Sequence, residues 1–401
     1  MPENALSEAD GQALLATITA RLPQLLDDIE QIVTCESPSS DLAAVARSAE
    51  TVAYVGQARL RAEPESLVID GCTHLRWRFG SAGTRVLLLG HHDTVWPVGS
   101  LDVHPFSDEN GVLRGPGCLD MKTGLVMAFH TLAALGVPSG VSLLVTGDEE
   151  LGSPTSRALI EAEAAGCEAV LVLEAAAGGM LKLERKGRAH YTVRIAGRAA
   201  HAGLEPEVGV NAAIELAHQV LAVAAIADAE AGTTVTPCVL TAGTSANTVP
   251  ESAAFAVDVR AWSLAELDRV DGAIRGLRPR VPGARVTVTG GIDRPPLEGA
   301  ASAGLFAMAA EIARTIGIEP LRGASVGGGS DGNLTAALGI PTLDGLGAVG
   351  DGAHAAHEHV LLAELPGRIT LLALLLKRLL GEEGGSTEPP EVTATAGGPA
   401  S

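Results

Sequence analysis

Aromatic side chains are scarce in this chain: 3 Trp, 2 Tyr and 5 Phe among 401 residues. The core must therefore be built from Ala, Val, Leu and Ile, and the scarcity argues against a platform for stacking nucleobases. Positive charge is scarce too. Lys+Arg number 28 against Asp+Glu 48, a formal net charge of -20, which would repel a phosphate backbone and argues against a nucleic-acid partner. The five cysteines, Cys35, Cys72, Cys118, Cys167 and Cys238, are odd in number and form no Cys-x-x-Cys. That pattern fits a reducing compartment and argues against a disulfide framework or a thiolate zinc site. The apolar run "LLALLLKRLL" (Leu371–Leu380) is too short and too charged to span a bilayer. The start, "MPENALSEADGQALL", has no basic segment followed by an apolar one, so no signal peptide is expected. A cytoplasmic protein with no membrane partner is the expectation.

Apolar residues are abundant, at 46% of the chain, enough for a globular protein. A chain of this length exceeds what one core usually serves, so two domains are expected. "GQALLATITARLPQLLDDIEQIV" has helical periodicity interrupted by Pro23, which implies a bend or two segments. A second helix follows with Asp41 as its N-cap, and "THLRWRF" alternates as a half-exposed strand. Buried runs such as "RVLLLG", "VSLLVTG" and "EAVLVLE" then alternate with helical ones. This is the βαβα pattern of an α/β protein with a mixed, mostly parallel sheet flanked by helices. Past Glu174 the order becomes β-α-β-β-α-β, a ferredoxin-like α+β unit. The expected division is residues 1–185 and 295–382 for the main domain, 186–294 for an insertion, and a disordered Gly/Pro/Thr-rich tail at 383–401.

Ligands of an open parallel sheet bind beyond the carboxyl ends of its strands, so the residues after each apolar run are the candidates. They are His91 and Asp93, then Asp120 opening a helix, then Asp148–Glu150, then Glu174, and finally "AVGDGAHAAHEH" with His354, His357 and His359. Any one of these alone reads as solvated polar residues, and a lone Glu-Glu pair is usually a turn. Five segments delivering acids or imidazoles to one rim suit a two-metal hydrolytic site. Asp120 would bridge, His91 and Glu174 would serve one metal, and Glu150 and His354 the other. Glu149 is left as general base, ionised beside two dications. Two-residue alternation places His91 and Asp93 on one face, with Asp93 orienting the imidazole. His92 would point away, for packing or a surface hydrogen bond. His357 and His359 read as surface or outer residues, and Cys118 as packing. A different class is a serine hydrolase: "GGSDG" around Ser330 satisfies G-x-S-x-G, with Asp351 and His354 following. Its flanking strand and helix are weak, and it leaves the other acids idle.

The motifs "GHHDTV", "GPGCLDMK", "TGDEELGS", "LVLEAA", "GRAAHAG", "GTSANTVPESAAFAVDVR", "GGGSDGN" and "GAHAAHEHV" together resemble the zinc-dependent metallopeptidase family of glutamate carboxypeptidases, aminoacylases, succinyl-diaminopimelate desuccinylases and carnosine dipeptidases. "GRAAHAGLEPEVGVNAAIEL" is most similar to the glutamate carboxypeptidase (carboxypeptidase G) branch. The resemblance implies a zinc-peptidase-like catalytic domain whose inserted domain acts as lid and dimerisation module. It implies two divalent ions, zinc or alternatively cobalt or manganese, on the five ligands named above. His201 would reach into the partner's site of a homodimer to stabilise the oxyanion. Asn247, Arg260 and Arg294 would bind the substrate's carboxylate end, and Gly328 and Gly329 would line the cleft. Met121 departs from many relatives, which carry an acid or another small variation there. The expected reaction is cleavage of an amide bond next to a free amino-acid carboxylate. The alternative on the same site is an N-acyl-amino-acid amidohydrolase or a dipeptidase.

Overall fold

The computed structural model describes residues 8–81, 83–318 and 320–381; the tail expected at 383–401 lies outside the described residues. A six-stranded sheet runs in the order Glu65–Ile69, Cys72–Phe79, Val141–Thr146, Val86–His91, Ala169–Val172 and Thr342–Leu343. The last four strands are parallel and the first two antiparallel. Val86–His91 and Val141–Thr146 are buried along their whole length, as strands covered on both faces must be. Leu88 packs on one side with Ile29, Val52, Phe129, Ile312 and Leu372. Leu87 and Leu89 pack on the other with Ile160 and Leu334. Each such leucine contributes roughly 1.5–3 kcal/mol of burial.

Pro23 divides the first helical stretch into Glu8–Ala20 and Leu22–Val33, sitting in the first turn of the second, where its missing N–H costs nothing. Asp41 caps Leu42–Leu60 by accepting from the N–H groups of Ala43 and Ala44. Two local expectations change. Cys72–Phe79 is mostly buried, because it lies inside the sheet and packs under Leu42–Leu60, with Trp77 edge-on to Phe129. Asp120 does not open a helix; it occupies an irregular turn, Cys118–Lys122, and the regular helix begins at Thr123.

The second unit is a four-stranded antiparallel sheet in the order Thr234–Ala242, Ser252–Ala261, Gly187–Ala196 and Arg285–Arg294. Helices Ala212–Ala224 and Leu264–Arg275 cover it, enclosing a separate core that includes Tyr191, Val193, Leu216, Phe255, Val257 and Val270. The connectivity is ferredoxin-like. Gly187–Ala196 alternates in burial along its ten residues, as a strand with one covered face does. Among the described residues, no helix is long and apolar enough to cross a membrane.

Candidate active site

Three of the five segments, those of His91, Glu150 and Glu174, lie at the carboxyl ends of parallel strands, while Asp120 and His354 reach them from a small antiparallel sheet that includes Val112–Arg114, Gly350–Asp351 and His359–Leu361. His91 ends its strand fully buried. Its Nε2 lies 3.4 Å from Asp120 Oδ1 and 3.4 Å from Glu174 Oε1. On the far side of the same turn, His354 Nε2 lies 3.2 Å from Asp120 Oδ2 and 3.1 Å from Glu150 Oε1. Asp120 thus faces both histidines, one oxygen to each. His354 holds φ at 63°, a strained region for a non-glycine residue, of the kind that collects at functional sites.

These two groups, His91–Asp120–Glu174 and Asp120–Glu150–His354, have ligand atoms close enough to hold metal ions. Two ligands of a tetrahedral zinc, each about 2.0–2.1 Å from it, stand about 3.3 Å apart, which matches the four separations above. The buried Nε2 of His91 has no hydrogen-bond partner, an arrangement that is costly unless something else satisfies it. Burial opposes a charge on His91, but Asp120, Asp93 and Glu174 outweigh it and raise its pKa well above the ordinary imidazole value. The same field favours a dication.

Surrounding residues hold these side chains in place. Asp93 Oδ1 is 3.3 Å from His91 Nδ1 and accepts from Glu149 N–H at 3.2 Å, while Oδ2 accepts from Glu150 N–H at 3.2 Å and Ser39 Oγ–H at 2.6 Å. His91 Nδ1 has its hydrogen bond with the Asp93 backbone carbonyl at 3.0 Å, and the Asp93 carboxylate beside it pins the Glu149–Leu151 turn. Glu174 Oε2 faces Arg185 at 3.3 Å and Lys182 at 3.6 Å, leaving Oε1 for His91. Arg185 is gripped by Asp344 at 2.8 and 3.0 Å. Asp148 points away from the two histidines and accepts from Thr155 and Ser156. It lies near Cys72 and His74. The nitrogens of His74 are already engaged with Gly147 N–H and Thr155 Oγ, and Thr155 Oγ in turn donates to Asp148.

His92 is buried, not at the surface. It meets Ser48 Oγ at 3.2 Å and the Thr73 carbonyl at 3.1 Å, and burial pulls its pKa down to about 4. Cys118 packs in the core, and His357 and His359 lie outside the cluster, linked by a carbonyl-to-imidazole contact of 2.9 Å.

Glu149 sits beside the cluster without joining it. Its Oε1 accepts from Arg294 Nη1 at 3.0 Å. Burial and the carboxylates of Asp331 and Glu174 push its pKa well above the ordinary value, against Arg294 and His91. The protein groups alone thus oppose the ionised base expected from the sequence. Arg294 also departs from expectation. It is buried, donates to Ser153 Oγ at 2.9 Å, and lies 3.6 Å from Asp331. It is committed to Glu149, Ser153 and Asp331 and not open to a substrate carboxylate in this structure. Arg260 pairs with Asp258 of its own strand at 3.0 Å and keeps about a third of its side chain exposed. The Gly328 and Gly329 carbonyls accept from Arg185 at 3.1 and 3.3 Å, and a side chain added at Gly328 would enter open space.

His201 and Asn247 meet at an exposed tip of the second unit, where Ala202 N–H donates to the Asn247 carbonyl at 3.0 Å. Among the described residues no hydrogen bond or ion pair joins them to the cluster. The serine hydrolase alternative is overturned. Ser330 is fully buried and donates to Asp344 at 2.5 Å, His354 faces Asp120 and Glu150, and Asp351 accepts from the next residue's N–H. Arg185, Asp331, Asp344 and Glu358 were not among the sequence candidates. Asp344 follows the apolar strand "IPTL", so the rule used for the other acids would have found it.

An α/β hydrolase built around a pair of metal centres is the class that this arrangement defines. The sequence model of peptidase family M20/M25/M40 matches residues 87–378. Carboxypeptidase G2 from Pseudomonas sp. (strain RS-16) is 32% identical over 397 residues, 94% of each chain. The fold superimposes on the M20 metallo-carboxypeptidase Sso-CP2 from Sulfolobus solfataricus with a TM-score of 0.69 at 16% identity, covering 88% of this chain and 99% of that one. It superimposes on the Bacillus subtilis YXEP protein, described as a dinuclear metal binding peptidase, with a TM-score of 0.61 at 15% identity, covering 90% and 99%. The chain belongs to peptidase family M20/M25/M40, and is a metallopeptidase of it.

Proposed function

We propose that the chain is a carboxypeptidase-type amide hydrolase that releases an amino acid with a free carboxylate, glutamate first among them, from a peptidyl or N-acyl partner. The observation that carries this reading is the pair of ligand groups sharing Asp120, with Glu149 beside them and outside both groups, paired with Arg294. His91 and Glu174 would hold one zinc ion, Glu150 and His354 the other, and Asp120 both. Bound ions of this kind supply Lewis acidity, polarising the scissile carbonyl and making water acidic enough to attack near neutral pH. Glu149 takes a proton from that water and returns it to the leaving amine. Arg260 and Asn247 receive the substrate's carboxylate end, since Arg matches a carboxylate bidentately. For Arg294 to join them it must exchange Glu149 for substrate, an exchange that would also free the base.

The unit at 186–294 serves as lid and as the dimer interface, in a cytoplasmic homodimer whose partner supplies His201 to the oxyanion. Exposed Leu204, Leu221, Val239 and Leu240 on this unit support that reading, as does the unpaired edge of Thr234–Ala242. The test is a panel of peptidyl and N-acyl amino acids assayed with added zinc or cobalt. Amidating the terminal carboxylate should sharply lower kcat/KM; an unchanged value would favour an enzyme that reads the other end.

A further inference from the structure

Glu358 is buried, yet among the described residues it forms no ion pair. All its partners are N–H groups. Oε1 accepts from the backbone of Leu119 at 2.8 Å and of Asp120 at 3.1 Å. Oε2 accepts from the backbone of Gly117 at 3.0 Å and from Trp96 Nε1 at 2.8 Å. An ionised carboxylate offers about four lone-pair sites, and here each has a donor.

The donors come from the places that carry metal ligands. Gly117, Leu119 and Asp120 form the irregular turn bearing the shared ligand. Trp96 lies just past His91 and Asp93. Glu358 itself is four residues after His354. The Cys118–Lys122 turn has non-helical dihedrals at Asp120 (φ -116°, ψ 94°) and Met121. Its amides therefore lack a regular helical ladder and need other acceptors. Glu358 supplies them, and so ties the backbone of Asp120 to the turn that carries His354.

We propose that Glu358 is a positioning residue for the metal pair: it clamps Asp120 between His91 and His354 and thereby sets the affinity of the two centres for their ions. The proposal rests on the two-metal reading above. A glutamate that merely stabilised the fold would lower the stability of the metal-free chain and leave metal affinity alone. A clamp acts on metal binding itself.

The experiment is calorimetric titration of zinc into the full chain, stripped of metal with a chelator, for the native protein, Glu358→Ala and Glu358→Gln. Metal-free Tm is measured for each. Glu358→Gln keeps one acceptor oxygen but turns an NH2 toward N–H donors. The native chain should bind two equivalents. Glu358→Gln, with a metal-free Tm close to native, should bind at least one of them about 10-fold or more weakly, the range typical of losing a ligand's supporting partner. Glu358→Ala should lose more, and excess zinc should restore part of kcat with KM unchanged. If Glu358→Ala does not fold, Glu358→Gln decides. Native affinity for two equivalents in Glu358→Gln overturns the clamp alone. A native chain that binds fewer than two equivalents overturns the two-metal reading and the clamp with it.

Discussion

Glu149 and Glu150 are adjacent, and their carboxylates go separate ways, Glu150 to His354 and Glu149 to Arg294. The backbone amides of both are held by Asp93, so the divergence is built into one pinned turn. Glu149→Gln preserves shape and removes the proton acceptor. It should bind two metal equivalents, seen by elemental analysis, and lose turnover by a hundredfold or more, roughly the scale of general base catalysis. Retained activity would remove Glu149 from the mechanism. His91 and His92 differ in a comparable way. His91→Ala should cost a metal equivalent. His92→Ala should keep both but lower stability by about 1–3 kcal/mol, because it strands buried groups of Ser48 and Thr73. Chelator titration and chemical denaturation on the same samples separate the two effects.

Secondary-structure elements are held in place by buried polar groups as well as by leucines. Asp28, on Leu22–Val33, pairs with Arg59 of Leu42–Leu60 at 2.6 and 2.7 Å and with His130 of Thr123–Ala134 at 2.8 Å. One carboxylate joins three helices on the face of the sheet opposite Arg157–Ala164. Burial pushes the Asp28 pKa up, but His130 and Arg59 outweigh it and the net shift is downward. A lowered carboxylate stabilises the fold above its unfolded value of about 3.9. That contribution disappears as pH falls through the lower folded value. Asp28→Ala should cost about 1–3 kcal/mol at neutral pH, since it removes the shared acceptor of Arg59 and His130. It should also flatten the acid limb of the stability curve below pH about 4. Urea denaturation across that range checks both, and an unchanged acid limb would show that the triad does not titrate with folding.

At the scale of the molecule, the candidate residues are divided between two units with separate cores. His91 ends a strand of the large sheet, whereas Arg260 lies on a strand of the smaller one, with His201 and Asn247 at a short two-stranded ladder and its turn in the same unit. A site completed across subunits predicts complementation. His201→Ala and Glu149→Gln should each be inactive as homodimers. Mixed and re-equilibrated, they should recover activity, because one site in each mixed dimer regains both groups. Additive inactivity in samples shown to contain mixed dimers would place His201 outside the partner's site.

The order of strands and helices was readable because apolar runs repeat with periods of two and 3.6, and those periods survive without knowledge of neighbours. Asp41 as a cap and the break at Pro23 are equally local. His91, Glu150 and Glu174 were readable for a related reason: acids and imidazoles at the ends of buried parallel strands can face only one rim. What lay beyond reach depends on contacts between residues far apart in the chain. Glu358 meets Trp96 across 262 positions and Arg294 meets Glu149 across 145. Neither residue's spacing says which partner it takes. The family resemblance makes Arg294 a binder of the substrate's carboxylate, yet packing buries it against Glu149, Ser153 and Asp331, because a buried guanidinium must find acceptors. Local periodicity by itself determined the elements and the rim on which the chemistry sits. Only the tertiary structure decided which charges pair there, since desolvation makes each buried charge depend on the partners that folding brings to it.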